Sequence, residues 1–315
     1  MDSWINIVVG TSPISLAKAI FLKSEDKEVS ILDKRSEVGG CWQISSYKEM
    51  HFDLGCHFLV PFENEEENTK LIQILKLLDI SAELCAPSAL FERKIEEISD
   101  YTKDHIYIKV LGGYSNIVRT LHQQIKNLKI PILIDNIKSI TVDQNNVSLF
   151  GNEKQYKARN VFIPSYCDVQ KIKVIDKTFN LECDYQDSQH LVILANGSWK
   201  KNHYDYYFLE ESERFTFDKL TTHTYEGNHL FNIRIGREHK LKSDRELLQL
   251  AKKFMANLGY EINNIIFSNR HIYEFPFRSE VYVRDIQKKL NSASNGKLKM
   301  IYTRNFTKAL LEAYS

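Results

Sequence analysis

The sequence predicts an α/β protein of two lobes: a parallel-sheet nucleotide lobe, and an inserted, largely antiparallel α+β lobe facing it. Three observations carry this expectation. An apolar run, Trp4–Val9, stops at Gly10 and passes straight into a segment with helical spacing, Ile14–Phe21. A strand-like run, Glu28–Leu32, follows and ends in Asp33, completing a strand–helix–strand unit with an acidic strand end. The strand-then-helix pattern returns at the far end (Lys299–Tyr302, then Thr303–Ala313), beyond a middle dense in aromatics such as Tyr204, Tyr206, Tyr207 and Phe208.

Each element has its own signal. In the first unit the strands fall at 4–9 and 28–32, and a helix at 13–24, with Pro13 in the first turn where its missing N–H costs nothing. A helix over 67–79 precedes a short hairpin and a strand at 105–110. Ile117, Val118, Leu121 and Ile125 share one face of a helix over 114–128. Strands follow at 132–134, 137–140 and 147–150, the last two joined by an Asn145-Asn146 turn. The run 158–164 returns the chain to the central sheet. From 170 to 285 the pattern is one of short strands with a single clear helix at 243–258. The expected nucleotide lobe therefore comprises residues 1–60, 108–170 and 290–315, and the expected substrate lobe 61–107 and 171–289.

With 315 residues the chain is long enough for two such lobes. A net charge of +1 gives no electrostatic reason to expect nucleic acid or an anionic membrane as partner. No apolar run approaches the roughly 20 residues of a membrane-spanning helix. The N-terminus shows no basic, then apolar, leader pattern, so a cytoplasmic location is expected. Five scattered cysteines without a C-x-x-C pair fit reduced thiols. The ten histidines form neither H-x-x-x-H nor H-E-x-x-H, so no metal is expected.

Chemistry concentrates at the first turn. Its three glycine positions, in the G-x-G-x-x-G sense, read Gly10, Ser12 and Ser15. The middle glycine of such a turn admits the pyrophosphate to the backbone, and the last lets helix and strand pack closely. Serine adds a Cβ at both points, but its hydroxyl is a donor to phosphate and the helix N-terminus keeps free N–H groups. Asp33, 23 residues beyond Gly10, stands where a ribose hydroxyl is bound.

The ordered set of motifs resembles the flavoprotein group of FAD-dependent amine oxidases, protoporphyrinogen-oxidase-like proteins and UDP-galactopyranose mutases. The glycine turn at Gly10, Asp33 with basic Lys34 and Arg35, the Gly39-Gly40 pair with Trp42, Asp53-x-Gly55-x-His57, and Gly112-Gly113 before a helix come in that group's order. Tyr273-Glu274-Phe275-Pro276 looks like the Y-x-Y-P of the polysaccharide-linked members. The resemblance implies a Rossmann-like FAD/NAD(P)-binding lobe with FAD held by Gly10, Ser12, Pro13, Ser15, Asp33, Lys34, Arg35, Gly39, Gly40 and Trp42. It further implies adenine contact at Ile137 and a cofactor contact at Arg304. On the substrate side it points to His57 (also the candidate catalytic residue), Arg214, Tyr273 and Arg278.

The sequence departs from the group at its end: Thr303-Arg304-Asn305 leads almost at once into the last helix, so most of the flavin-facing loop is missing. Two functions follow as expectations. One is an FAD-dependent oxidoreductase or mutase-like enzyme acting on a small molecule, a sugar nucleotide or glycan-biosynthesis intermediate. The alternative is a degenerate, non-catalytic dinucleotide fold that binds a nucleotide or a protein partner.

Overall fold

The computed structural model describes residues 2–40, 42, 44–54, 59, 61–85, 90–93, 107–200, 206–209, 217–225, 227–236, 239–303 and 305–314. The chain opens with β1 (Asp2–Val9), α1 (Pro13–Ser24) and β2 (Val29–Asp33), β1 and β2 being parallel. Ser12 caps α1 with its side chain accepting from the Ser15 amide, and Pro13 opens the first turn, as its fixed φ favours. A hairpin, β3 (Ile44–Tyr47) and β4 (Met50–Asp53), and helix α2 (Glu65–Leu77) follow. Next come β5 (Ala82–Cys85), β6 (Leu90–Arg93), β7 (Tyr107–Val110), α3 (Tyr114–Asn127) and β8 (Ile132–Ile134). Strands β9 (Ser139–Val142), β10 (Val147–Phe150) and β11 (Gln155–Pro164) form a meander, which β12 (Lys171–Val174) and β13 (Lys177–Asn180) extend.

The remaining elements are β14 (Asp184–Trp199), β15 (Tyr206–Leu209), β16 (Phe217–Tyr225), β17 (Asn228–Ile235), α4 (Asp244–Leu258), β18 (Tyr260–Phe277), α5 (Glu280–Ser294), β19 (Leu298–Ile301) and α6 (Phe306–Tyr314). The first sheet runs β13-β12-β9-β10-β11-β1-β2-β8, with β19 also on β11, and its central members β11, β1, β2 and β8 are parallel. The second sheet runs β18-β14-β17-β16-β15-β6.

The expected α/β fold with a second, largely antiparallel sheet is present, with four differences from the elements and boundaries expected. Residues 171–180 belong to the first sheet, because β12 pairs with β9 in parallel. Helix α2 packs Leu71, Ile74 and Leu75 into the same core as α1, α3 and α6, so among the described residues of 61–107 only β6 joins the second sheet. The middle is not built of short strands: β14 and β18 are 16 and 18 residues long and pair along their whole length. Helix α5, absent from the sequence reading, is capped by Ser279 and buries Val283, Ile286 and Leu290 against the first sheet's core. Its i, i+3, i+7 spacing is legible once Ser279 is read as a cap rather than as loop.

The second sheet has two chemically different faces. Leu191, Ile193 and Ala195 of β14 face α4, packing with Leu247, Ala251 and Met255. The alternate residues Val192 and Leu194 pack with Phe52 and Leu54 from the β4 region, joining the second sheet to the first half of the molecule. Further along that face the side chains turn polar, with Ser188 and His190 on β14 and Asn232 and Arg234 on β17. Period-two alternation of the strands puts all of these on one side.

Candidate functional site

A cavity of about 490 Å³ opens at the carboxyl ends of β1, β2 and β11, the position where open parallel sheets bind ligands. One wall is the turn Gly10–Ile14 and the strand end Asp33–Arg35. A second is the strand-end connection Asp135–Ile137 together with Pro164 and Tyr166–Asp168. Trp42 and Phe306 supply an apolar side; their rings are 4.9 Å apart at 35°. The wall contributed by the second sheet presents Gln186, Ser188, Arg234 and Tyr273.

The turn is closed from within. The Asp33 carboxylate accepts from both the amide and the hydroxyl of Thr11 at 2.6 Å through Oδ2, and from the Arg35 amide at 2.9 Å through Oδ1. A carboxylate offers about four acceptor positions, so one remains, on Oδ1. The Ser15 hydroxyl donates to the Val9 carbonyl at 3.0 Å, which leaves Ser12 as the donor in the 3.1 Å contact between the two hydroxyls. This corrects the expected donation of the Ser12 hydroxyl to phosphate: both serine protons are used inside the turn. The donors left for an anion are the amides of Ser12 and Ile14, since Pro13 has none and the Thr11, Ser15 and Leu16 amides are taken.

The Gly39-Gly40 pair docks on this turn. Gly39 has φ +123° and donates its amide to the Thr11 carbonyl, and a Cβ there would lie 2.7 Å from the Trp42 carbonyl oxygen. Gly40, at φ +60°, approaches so closely that a Cβ would lie 3.2 Å from the Ser12 Cα. Only glycine permits both backbones. Arg35 Nε, bordering the cavity, is buried with no partner among the described residues. Free amides at a helix N-terminus, an orphaned guanidinium nitrogen and an acceptor on Asp33 together fit an adenosine diphosphate moiety.

Several neighbouring ionisable groups are committed. Lys34 pairs with Asp168 at 2.5 Å across the cavity edge. Burial pushes Asp135 up, but the amides of Glu153, Lys154 and Asn152 and the Tyr156 phenol hold it below the ordinary carboxylate range. A side chain at position 151 would collide with that carboxylate, a Cβ falling 2.1 Å from Oδ2, so Gly151 is part of its cradle. Burial pushes the Cys167 thiol up, the opposite of what a thiolate nucleophile needs.

The structure brings most of the predicted cofactor residues to one cavity: Gly10, Ser12, Pro13, Asp33, Lys34, Arg35, Gly40, Trp42 and Ile137 line it, with Gly39 and Ser15 directly behind. Tyr273 lines it too, stacked at 11° on His190 with ring centroids 5.6 Å apart. Arg278 corrects the reading of it as substrate-facing. It is buried, and its guanidinium donates to the carbonyls of Ser165, Cys167, Val169 and Leu181, tying the loop after β11 to the end of β13. His57, Arg214 and Arg304 lie outside the described residues. Only Tyr302–Asn305 separates β19 from α6, as the short C-terminal loop required.

Sequence reasoning missed Ser188, His190 and Arg234. Ser188 Oγ is 2.8 Å from His190 Nε2, and the Tyr273 hydroxyl is 3.4 Å from the same nitrogen. A polar i, i+2 pair leading directly into an apolar strand run (Ser188-x-His190 before Leu191-Val192-Ile193) was the available signal.

The fold is a Rossmann-like α/β one, with a second sheet closing over the cleft at the strand ends. Residues 8–75 match the model of the NAD(P)-binding Rossmann-like domain family. Among solved structures the chain is similar to a putrescine oxidase (TM-score 0.64, 8% identity, covering 99% of this chain and 98% of that one). It is similar to cyclohexylamine oxidase from Brevibacterium oxydans (0.64, 10%, 99% and 98%). A protoporphyrinogen-oxidase-like protein from an Exiguobacterium species is a third (0.62, 10%, 100% and 98%). At these identities the likeness is one of fold, and the fold is that of the amine-oxidase-like group. No curated protein sequence matches the chain significantly.

Proposed function

We propose that the protein is a cytoplasmic FAD-dependent oxidoreductase acting on a small polar molecule held between the cofactor cleft and the second sheet. The observation that carries the reading is the single cavity shared by the Gly10–Ile14 turn, the Asp33–Arg35 strand end and the polar wall of Ser188, Arg234 and Tyr273. FAD, when bound, supplies the two-electron acceptor, so the chain's own groups need only bind, orient and exclude water. In this reading the Ser12 and Ile14 amides and Arg35 hold the pyrophosphate, and Asp33 Oδ1 accepts one ribose hydroxyl. Ile137 lies beside the adenine. Trp42 and Phe306 keep water from the inner end, and Arg304 remains the cofactor contact that the sequence resemblance suggests.

On the opposite wall Tyr273 and Ser188, fixed by the buried His190, orient the substrate, with His57 the candidate proton acceptor. A sugar nucleotide is the finer proposal that the Tyr273–Pro276 element suggests. With Arg278 committed to carbonyls, its diphosphate would meet Arg234 or Arg214 through two guanidinium donors.

The test is the visible spectrum of the protein as purified, with melting temperature followed as FAD or ADP is added. Flavin absorbance bands and a rise with both ligands are expected. A colourless protein that neither ligand stabilises would overturn the reading. Stabilisation by ADP alone would favour the second reading, a nucleotide-binding protein without redox chemistry, for which the internally satisfied serines are the supporting observation.

A further inference from the structure

On the edge of the first sheet, away from the cleft, α1, α5 and α6 converge beside β11 and β19 around a second cavity of about 200 Å³. Two lysines border it. Lys18 is 7% exposed, and its ammonium lies 4.8 Å from the centre of the Phe162 ring; the Lys299 ammonium lies 6.0 Å from that centre. Neither forms an ion pair with a carboxylate among the described residues. Lys18 donates one hydrogen bond, to the Ala313 carbonyl at 2.7 Å, leaving two of its three ammonium protons for other acceptors. The one carboxylate on the cavity wall, Glu312, accepts hydrogen bonds from Arg284 and Gln287 and forms no ion pair with either lysine. Asn291 completes the polar lining with a side-chain amide.

A buried ammonium without an anion is costly, and its cost falls when a counter-charge arrives. Burial first, and then repulsion from Lys299 and more weakly from Lys27, pulls Lys18 down to about 8 against the attraction of Glu25. We infer that this cavity is a phosphate site, in which Lys18 and Lys299 together bind the dianion of inorganic phosphate or a phosphomonoester and Asn291 donates to a third oxygen. The ligand class follows from two compact ammonium point charges bordering one polar space whose lining carboxylate, Glu312, is paired with Arg284 and Gln287 instead. The site is separate from the dinucleotide cleft, and its existence is independent of whether FAD is bound.

The experiment is calorimetric titration of the full chain with inorganic phosphate and with glycerol 3-phosphate at pH 8, for wild type, Lys299→Gln and Lys18→Gln. Wild type is expected to bind with millimolar affinity or better, with proton uptake as Lys18 becomes fully charged, seen as heats that depend on the buffer's ionisation enthalpy. Lys299→Gln, a change at an exposed side chain, is expected to weaken binding at least tenfold and to reduce the proton uptake. Lys18→Gln is expected to abolish the uptake. Tighter binding of the ester than of phosphate would mark a phosphomonoester as the ligand; the reverse order would mark the free anion. Absence of binding by wild type, or equal binding by wild type and Lys299→Gln (the result expected if phosphate entered the dinucleotide cleft), would overturn the inference.

Discussion

Asp53, the first residue of the Asp-x-Gly-x-His element, is 2% exposed, and neither carboxylate oxygen has a partner among the described residues. Burial pushes it up from 3.8 to about 7. In the unfolded chain the group ionises near its ordinary value, so between the two values the folded state holds a proton that the unfolded state has released. The folded state therefore loses stability as pH rises through this window, at about 1.4 kcal/mol per pH unit. Over the roughly three units involved the loss amounts to about 4 kcal/mol, and it is complete above the folded value. Asp53→Asn removes the titration while keeping the shape. Its amide leaves a polar group unpaired at every pH, so the informative quantity is the change in the variant's stability relative to wild type, measured by urea unfolding at about pH 4 and about pH 8. That relative stability is expected to move in favour of the variant by up to about 4 kcal/mol. Asp135 and Asp187, held below their ordinary values, contribute the opposite slope to both proteins and cancel in the difference. Parallel profiles for the two proteins would show that Asp53 is solvated or partnered in the folded state, and the argument would fail.

The cleft yields further expectations. Asp33→Ala should weaken ADP and FAD binding by about 1–3 kcal/mol, partly by freeing the Thr11 amide and hydroxyl; unchanged affinity in calorimetry would make Asp33 a purely structural cap. Ser12→Leu should abolish nucleotide binding, since Gly40 already lies against this residue, whereas the double change Ser12→Gly with Ser15→Gly should leave affinity similar or modestly raised; binding by the leucine variant in a thermal-shift titration would refute this. Arg278→Ala should cost at least about 3 kcal/mol in urea unfolding, because it strands several buried carbonyls. Ligand affinity of the remaining folded protein should not change, and a stable variant with weakened ligand binding would return Arg278 to the cleft.

Local elements were legible in the sequence wherever short-range physics decides them. Helix α1 spans Pro13–Ser24 as the cap and proline require, α3 follows its apolar stripe, and β8 occupies 132–134 as read. The glycine turn, the acidic strand end and the Gly39-Gly40 pair were readable because each answers to a backbone rule that holds in any context. What the sequence left open depended on partners distant in the chain. Arg278 reads as a surface or ligand-binding cation until the carbonyls of residues 165–181 are placed around it. Ser12 and Ser15 read as phosphate donors until Val9 and the pair's mutual contact claim their protons. Ser188, His190 and Tyr273 lie on two strands whose register, Ser188 opposite Tyr273, no local pattern specifies. Composition and periodicity determine where helices and strands form, because those depend on neighbours within a few residues. Which polar atoms are already satisfied, and so which remain for a ligand, is decided only when tertiary packing brings remote donors and acceptors within three ångströms or so.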